Sequence, residues 1–420
     1  MIEIRPIRQL KAAVSVPGSK SYTQRALVAA ALAAGQSRLR NALFSEDTAF
    51  LMTALRDLGA GIRVEDDALI VTGTGGRIAN PPGELFVGNN GTALRFLTAL
   101  ASLGTGSYTV TGEPRLRERP LQPLLEVLAS LGAVLHTKDG RGYPPVRIDA
   151  SGLRGGHAAF RDADSSQYIS ALLLSAPYAR GDVGVRLEGR TVSQPYIGMT
   201  IDVMRAFGVI VASEGDQHYV VRGKQCYQGR DYAVDGDASS ASYFFLAAAL
   251  CRGAVMVMNV NPHSCQGDLR LLDILEELGC VIRRGDSWIE VTGRGLPEGE
   301  LHFDMGDMPD MAPTLAVLSA FRPGRTVIGH CAHLRIKESD RIASLVTELN
   351  RIGVGAQETP DGLIIEGGSP RGAQIRTYND HRIAMSFAVA GLAAAGMKIT
   401  DEQCVHKSFP GFWDALGRLT

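Results

Sequence analysis

Leu271-Leu272-Asp273-Ile274-Leu275-Glu276-Glu277-Leu278-Gly279-Cys280-Val281-Ile282 reads as two elements and the joint between them. Leu271, Ile274, Leu275 and Leu278 recur at i, i+3, i+4 and i+7, the spacing of one helix face. Gly279 stands where a helix closes with a left-handed residue. A short apolar strand follows, then a polar turn, then Trp288-Ile289-Glu290-Val291 as a second strand. The same order occurs around Leu51–Gly59, Leu124–Gly132, Met199–Gly208 and Ile342–Gly353, each followed by two short β-rich runs. A sixth copy opens at Phe412-Trp413 and reaches Gly417 just before the chain stops. The marking glycines fall at 59, 132, 208, 279, 353 and 417, a period of about 70 residues.

Between these helix–hairpin units lie further helices of small apolar residues, at 26–34, 92–103, 168–176, 240–249, 313–318 and 382–395. The repeating unit is therefore βαβαββ, used six times in two lobes. The sixth copy lacks its hairpin. Met1-Ile2-Glu3-Ile4 and Ala13-Val14-Ser15-Val16 are read as the strands that complete it. That places both chain ends in one lobe, residues 1–18 plus 236–420, with 19–235 forming the other. The chain then crosses between lobes near Pro17–Arg25 and again near Tyr232–Asp237, and both crossings are expected to face one cleft.

With 420 residues the chain exceeds one ordinary core, in line with two lobes. Lys+Arg is 43 and Asp+Glu is 44, so nothing global calls for nucleic acid or a membrane surface. No apolar run approaches the ~20 residues of a membrane span, and the N-terminus has no apolar signal core. The six cysteines are scattered without a C-x-x-C pair, so neither a zinc site nor a disulfide scaffold is expected, and the compartment reads as a reducing cytoplasm. No apolar stripe or heptad calls for a second copy, so the expected state is a monomer.

The chemistry-bearing stretches sit at the starts of the inner helices. Pro17-Gly18-Ser19-Lys20-Ser21-Tyr22-Thr23-Gln24-Arg25 is a strand end, a tight turn and a helix start carrying two cations. Ser19 or Ser21 as a plain helix cap is the other reading of these residues alone. A nucleotide P-loop does not fit, because a serine separates Gly18 from Lys20 and the earlier glycine is missing. Gly88-Asn89-Asn90-Gly91 leads into a helix with Arg95; Arg115, Arg117 and Arg119 lie between two prolines; Asp164-Ser165-Ser166-Gln167 opens another helix. Arg335-Ile336-Lys337-Glu338-Ser339-Asp340-Arg341, Asn379-Asp380-His381-Arg382 and His406-Lys407 complete the set. Each alone is an ordinary surface charge patch. The six beyond Pro17–Arg25, at corresponding places of a repeat, indicate one site for a ligand bearing carboxylate and phosphate, which arginine forks bind bidentately.

In combination and order these motifs, with Gly236-Asp237-Ala238-Ser239-Ser240 and Pro309-Asp310, resemble the 5-enolpyruvylshikimate-3-phosphate synthase family over the whole chain. The resemblance implies an α/β fold, the two-domain inverse α/β barrel of six βαβαββ repeats, with the active site in the cleft between domains. It implies transfer of the enolpyruvyl group of phosphoenolpyruvate to the 5-hydroxyl of shikimate 3-phosphate in the shikimate pathway, with no metal or organic cofactor. By motif, Lys20, Ser21, Arg25, Ser165, Ser166, Gln167, Ser193, Tyr196, Asp310, His333 and Lys337 would hold shikimate 3-phosphate. Lys20, Asn89, Gly91, Arg119, Gln167, Arg341, Arg382 and Lys407 would surround phosphoenolpyruvate. Asp310 would take the hydroxyl proton, Glu338 is the second acid/base candidate, and Lys20 and Lys407 would protonate or stabilise the departing phosphate.

Tyr22-Thr23-Gln24, Asn90, Phe96 and His333 depart from the family's usual residues, and the first three of these lie beside the expected phosphoenolpyruvate pocket, which bears on sensitivity to glyphosate. His333 reads either as a variant ligand contact or as a surface histidine. Two other functions share the fold. UDP-N-acetylglucosamine enolpyruvyl transferase is marked by a Lys-Asn pair and an early reactive cysteine, whereas this chain has Lys20-Ser21 and its first cysteine at Cys226. A non-catalytic anion-binding protein would have lost a carboxylate or cation that is present here.

Overall fold

The computed structural model describes residues 1–138 and 140–419. The chain forms two compact units, Met1–Ser19 with Asp235–Thr420 and Lys20–Val234. The second unit holds three four-stranded sheets of one topology. In the third of these, Gly156–Arg161 runs parallel to Val183–Glu188, which pairs antiparallel with His218–Val221, and that strand pairs antiparallel with Val211–Glu214. Helices Ser166–Ser175 and Pro195–Ala206 connect them, giving βαβαββ.

The other unit repeats this pattern twice in full and once in part. Its three-stranded sheet is Ile2–Glu3, Lys398–Ile399 and Gln374–Ile375. Ile2–Glu3 lies antiparallel to Lys398–Ile399 and so fills the place of a repeat's closing strand. The second N-terminal strand goes elsewhere, which corrects the sequence reading. Lys11–Val14 pairs parallel with Ala254–Val257 and serves as the first strand of the fourth repeat. The first repeat in turn takes its first strand from Asp231–Ala233, parallel to Gln36–Arg40. The reason is the crossing itself. Each strand that precedes a crossing stays with the unit it leaves, while the helix that would normally follow it belongs to the next unit.

The marking glycines explain how the outer helices end. Gly59, Gly132, Gly208, Gly279 and Gly353 have φ between +85° and +105°. In each case the next residue donates its N–H five residues back, as Ala60 does to Leu55 (3.0 Å) and Cys280 to Leu275 (2.9 Å). This is the Schellman closure, which reverses the chain directly into the hairpin. Gly417 departs from the pattern: it is the last residue of helix Phe412–Gly417 and does not adopt positive φ.

The inner helices are buried around their whole circumference. Every residue of Ala312–Ala320 and eleven of thirteen in Lys20–Leu32 are buried. In each unit these helices pack against one another, and their small residues allow close approach. Their N-terminal turns carry the polar residues picked out from the sequence. Among the described residues no helix is long and apolar enough to cross a membrane.

Gly279→Ala tests the cap. A Cβ there meets nothing closer than 3.8 Å, so only the left-handed backbone opposes it. The substitution is expected to cost about 1 kcal/mol, read from the urea midpoint, whereas Gly417→Ala is expected to cost nothing. Equal losses at both positions would contradict the cap assignment.

Candidate active site

In the unit Lys20–Val234, three inner-helix entrances are tied together by buried side chains. Lys20 opens its helix and its Nζ lies 3.3 Å from the Asp47 carboxylate. Asn90 caps helix Gly91–Ala101 by accepting from the Ala93 N–H at 3.0 Å. Its amide nitrogen donates to Gln24 Oε1 (2.9 Å) and to the Asp47 carbonyl (2.8 Å). Two of the departures from the family pattern, Gln24 and Asn90, are thus partners of each other. Arg95 is buried. It donates to the Gly91 carbonyl (2.9 Å), to Gln167 Oε1 (3.1 Å) and to the Pro120 carbonyl (3.2 Å), with its guanidinium over the Tyr168 ring. It therefore sets the orientation of Gln167 and of the turn leading out of Arg119.

Gly91 and Arg119 are close neighbours. A Cβ built on Gly91 would sit 2.5 Å from the Arg119 guanidinium carbon, so a larger residue there would displace the end of that side chain. Arg119 is buried, and Asn89 is half-buried in the same turn. Ser165 caps the next inner helix by accepting from the Gln167 N–H, and Ser166 is buried in its first turn. Ser193 is buried with φ of 59°, just ahead of Tyr196 in helix Pro195–Ala206.

Arg25, expected to hold shikimate 3-phosphate, is tied into its own unit. It is fully buried and donates to Thr200 Oγ1 (2.8 Å), the Ser21 carbonyl (2.9 Å), Ser170 Oγ (3.3 Å) and the Tyr196 carbonyl (3.2 Å). Phe96 packs beneath it, with the guanidinium 5.5 Å from the ring centre. Burial brings its pKa down to about 10, which leaves it a cation at neutral pH. These bonds use Arg25 to hold Ser21 and Tyr196 in place. Tyr22 donates to Asp202 Oδ2 at 3.2 Å, and Thr23 accepts from the Leu43 N–H at 3.0 Å.

In the other unit a buried guanidinium gathers the carboxylates. Arg341 opens helix Arg341–Arg351 and bonds Asp380 Oδ2 through Nε (2.8 Å), Asp310 Oδ1 through Nη1 (3.0 Å) and Glu338 Oε2 through Nη2 (2.8 Å). Burial works against its charge, but Asp380, Glu338 and Asp310 outweigh it and hold its pKa above the ordinary guanidinium value. Arg382 donates to the other oxygen of Asp310 and reaches Tyr243 OH (3.5 Å) and Ser239 Oγ (3.4 Å). Asp380 caps the Arg382 helix by accepting from its N–H at 3.0 Å. Asp310, Glu338, Arg341 and Arg382 thus form one cluster. His333 is buried, which rules out the surface-histidine reading; it lies on Ala332–Ile336, with Lys337 following. Lys407 is buried at the end of Glu402–Lys407, a segment packed on helix His381–Ala393. Among the described residues no group of three or more His, Cys, Asp or Glu could hold a metal ion.

Sequence reasoning missed Asp47, Arg95, Ser239, Asp268 and the depth of Asp380. Arg95, Ser239 and Asp380 lie inside quoted motifs and could have been found by asking what orients each motif's cation. Asp47 and Asp268 stand in other segments and gave no local signal. Asp268 accepts from Ser239 Oγ and is buried. Burial, then the nearby Asp310, pushes its carboxyl up to about 7, against the pull of Arg382.

Five full βαβαββ repeats and a partial sixth, with cations and carboxylates at inner-helix entrances, define the class, a six-repeat α/β fold. The family model for EPSP synthase (3-phosphoshikimate 1-carboxyvinyltransferase) matches residues 4–416. The 3-phosphoshikimate 1-carboxyvinyltransferase of Nostoc punctiforme is 44% identical over 408 residues, 97% of this chain and 96% of that protein. That of Methanoculleus marisnigri is 41% identical over 418 residues, 99% of this chain and 98% of its own. A solved EPSP synthase structure from Acinetobacter baumannii superposes with a TM-score of 0.82 at 29% identity, covering 99% of this chain and 97% of that one. The chain belongs to the EPSP synthase family.

The raised Asp268 carboxyl predicts a pH-dependent stability. The folded state binds its proton more tightly than the unfolded chain does, where the ordinary value is about 3.9. Its contribution is fully present below about 4 and is lost as pH rises through about 7. Asp268→Asn should therefore stabilise the chain relative to the parent by roughly 2–4 kcal/mol at pH 8 and by far less at pH 5. A urea midpoint difference that does not grow with pH would contradict this.

Proposed function

We propose that this chain transfers the enolpyruvyl group of phosphoenolpyruvate to the 5-hydroxyl of shikimate 3-phosphate, releasing phosphate, in aromatic amino-acid biosynthesis. The observation that carries the reading is the pair of guanidiniums, Arg341 and Arg382, converging on the two oxygens of Asp310. Their planar forks suit a carboxylate and a phosphate. On this reading they turn toward phosphoenolpyruvate when it binds, and Asp310 becomes available to the hydroxyl proton. The UDP-N-acetylglucosamine reaction is not favoured, because the named relatives are 3-phosphoshikimate 1-carboxyvinyltransferases.

The proton bookkeeping has two stages. In the addition, the donor's methylene carbon gains a proton, the 5-oxygen bonds to the donor's central carbon, and the 5-hydroxyl proton passes to Asp310. In the elimination, the new methyl group gives back a proton and the carbon–oxygen bond to phosphate breaks. Glu338 is the second carboxylate for these transfers, and Lys20 and Lys407 offset charge on the departing phosphate. Lys20, Ser21, Ser165, Ser166, Gln167, Ser193, Tyr196, His333 and Lys337 hold shikimate 3-phosphate, with Arg25 supporting Ser21 and Tyr196 from behind. Asn89, Gly91, Arg119, Gln167, Arg341, Arg382 and Lys407 receive phosphoenolpyruvate. Two polyanions become tolerable beside each other because these cations screen their charge. The enzyme works in the cytoplasm as a monomer.

Purified protein given both substrates should release inorganic phosphate, and neither substrate alone should suffice; release only with UDP-N-acetylglucosamine would overturn the reading. Asp310→Ala should lower kcat by about 10²–10⁴-fold and change either KM far less, and equal losses in binding and turnover would remove its proton-transfer role. Gly91→Ala should push the Arg119 guanidinium aside. Its KM for phosphoenolpyruvate should rise about tenfold or more with the KM for shikimate 3-phosphate nearly unchanged. Parallel changes in both would place Arg119 elsewhere.

A further inference from the structure

Arg382 is held by groups that the reaction itself does not consume. One nitrogen, Nη2, donates to Asp310 and to Ser239 Oγ, and the other reaches Tyr243 OH. Asp310 must release this guanidinium if it is to receive a proton. Ser239 and Tyr243 are then the contacts that keep Arg382 in place, and as neutral hydroxyls they do not compete with an arriving anion for its charge.

A guanidinium has only donors, so Ser239 can meet Arg382 only with an oxygen lone pair. The hydroxyl proton of Ser239 must point elsewhere, and Asp268 Oδ2 takes it. Asp268 sits on the short segment Gly267–Arg270, packed against helix Ala238–Leu250. That segment is fixed by Gln266, which accepts from the Ala238 N–H (3.0 Å) and donates to the Gly236 carbonyl (2.8 Å). The other oxygen of Asp268 is buried and has no hydrogen-bond partner among the described residues. An ionised carboxylate in such a place costs the fold stability, a cost that a neutral side chain avoids. Packing alone gives no reason for it, and its one strong contact leads to Arg382.

We propose that Asp268, acting through the Ser239 hydroxyl, is a positioning residue for Arg382 that fixes the guanidinium for capture of the anionic donor. This rests on the assignment of Arg382 to the phosphoenolpyruvate site. Neither residue touches substrate on this view; both act on the direction in which one cation points.

The test is steady-state kinetics of the full-length enzyme with phosphoenolpyruvate and shikimate 3-phosphate, for Asp268→Ala, Asp268→Asn, Ser239→Ala and Arg382→Ala. Asp268→Ala and Ser239→Ala are expected to raise the KM for phosphoenolpyruvate about five- to twentyfold, with the KM for shikimate 3-phosphate within about twofold. Asp268→Asn keeps an oxygen that accepts from Ser239 and should restore the donor KM to within about threefold of the parent. Ser239→Ala removes one oxygen atom and leaves a good helix former, so it remains informative if Asp268→Ala does not fold. The proposal is overturned if the donor KM stays within twofold in Ser239→Ala while Arg382→Ala raises it. It is equally overturned if both KM values rise together, or if Asn is as impaired as Ala at position 268. If Arg382→Ala itself leaves the donor KM unchanged, the placement of the donor at Arg382 fails first, and this inference fails with it.

Discussion

One buried guanidinium carries the electrostatics of the C-terminal unit. Arg341 is nearly inaccessible to solvent and bonds three carboxylates drawn from three segments. Removing such a cation leaves unpaired negative charge in a poorly hydrated place, a loss of about 3–5 kcal/mol in comparable cases. Asp310, Glu338 and Asp380 are therefore mutually dependent through it. Asp380 then caps the helix His381–Ala393 by accepting from the Arg382 N–H, so the second cation inherits its position from the first. Asp310, the carboxylate proposed to take the hydroxyl proton, is held between the two. The cluster has a function-related asymmetry: Asp310 is partly exposed, whereas Asp380 is sealed. The exposed member is the one free to change partners.

The N-terminal unit uses a different device. Lys20 faces the Asp47 carboxylate, but its buried guanidiniums, Arg25 and Arg95, are held by carbonyls, hydroxyls, an amide and rings. Arg95 ends on two carbonyls and Gln167, and Arg25 on hydroxyls and carbonyls. Neutral acceptors orient a guanidinium without cancelling its charge. A surface built this way stays electropositive, as a seat for a phosphorylated sugar-like acid requires. The Gln24–Asn90–Asp47 linkage joins two of the unusual residues of this chain beside Lys20. Through Asp47 they brace the carboxylate that faces this cation.

Much of this was legible in the sequence. The glycine at each outer-helix end and the apolar i, i+3, i+4, i+7 rows report local backbone geometry, so the repeat could be counted without coordinates. Strand exchange could not be read in full. Ile2–Glu3 and Lys11–Val14 are too short to carry register information, and which sheet each joins is decided by where the chain crosses. The motifs revealed the cations and carboxylates that end at helix entrances. They did not reveal that Arg25 faces other helices, because a guanidinium's partners come from Ser170, Tyr196 and Thr200, which are distant in sequence. Asp268 was invisible for the same reason: its meaning lies entirely in a serine on another element.

The exchanged first strands also impose an order on biosynthesis. The unit 20–234 contains all the strands of its three sheets, the last of them at Asp231–Ala233, so it can finish pairing while the remainder is still being translated. The first nineteen residues have the opposite history. Ile2–Glu3 and Lys11–Val14 leave the ribosome ahead of that unit, yet their partners at 398–399 and 254–257 are made much later. A nascent edge waiting that long is exposed to pairing with other chains. Here it is kept very short and interrupted by Arg5, Pro6, Arg8 and Gln9. A segment that must wait through most of translation is thus composed to attract little while it waits.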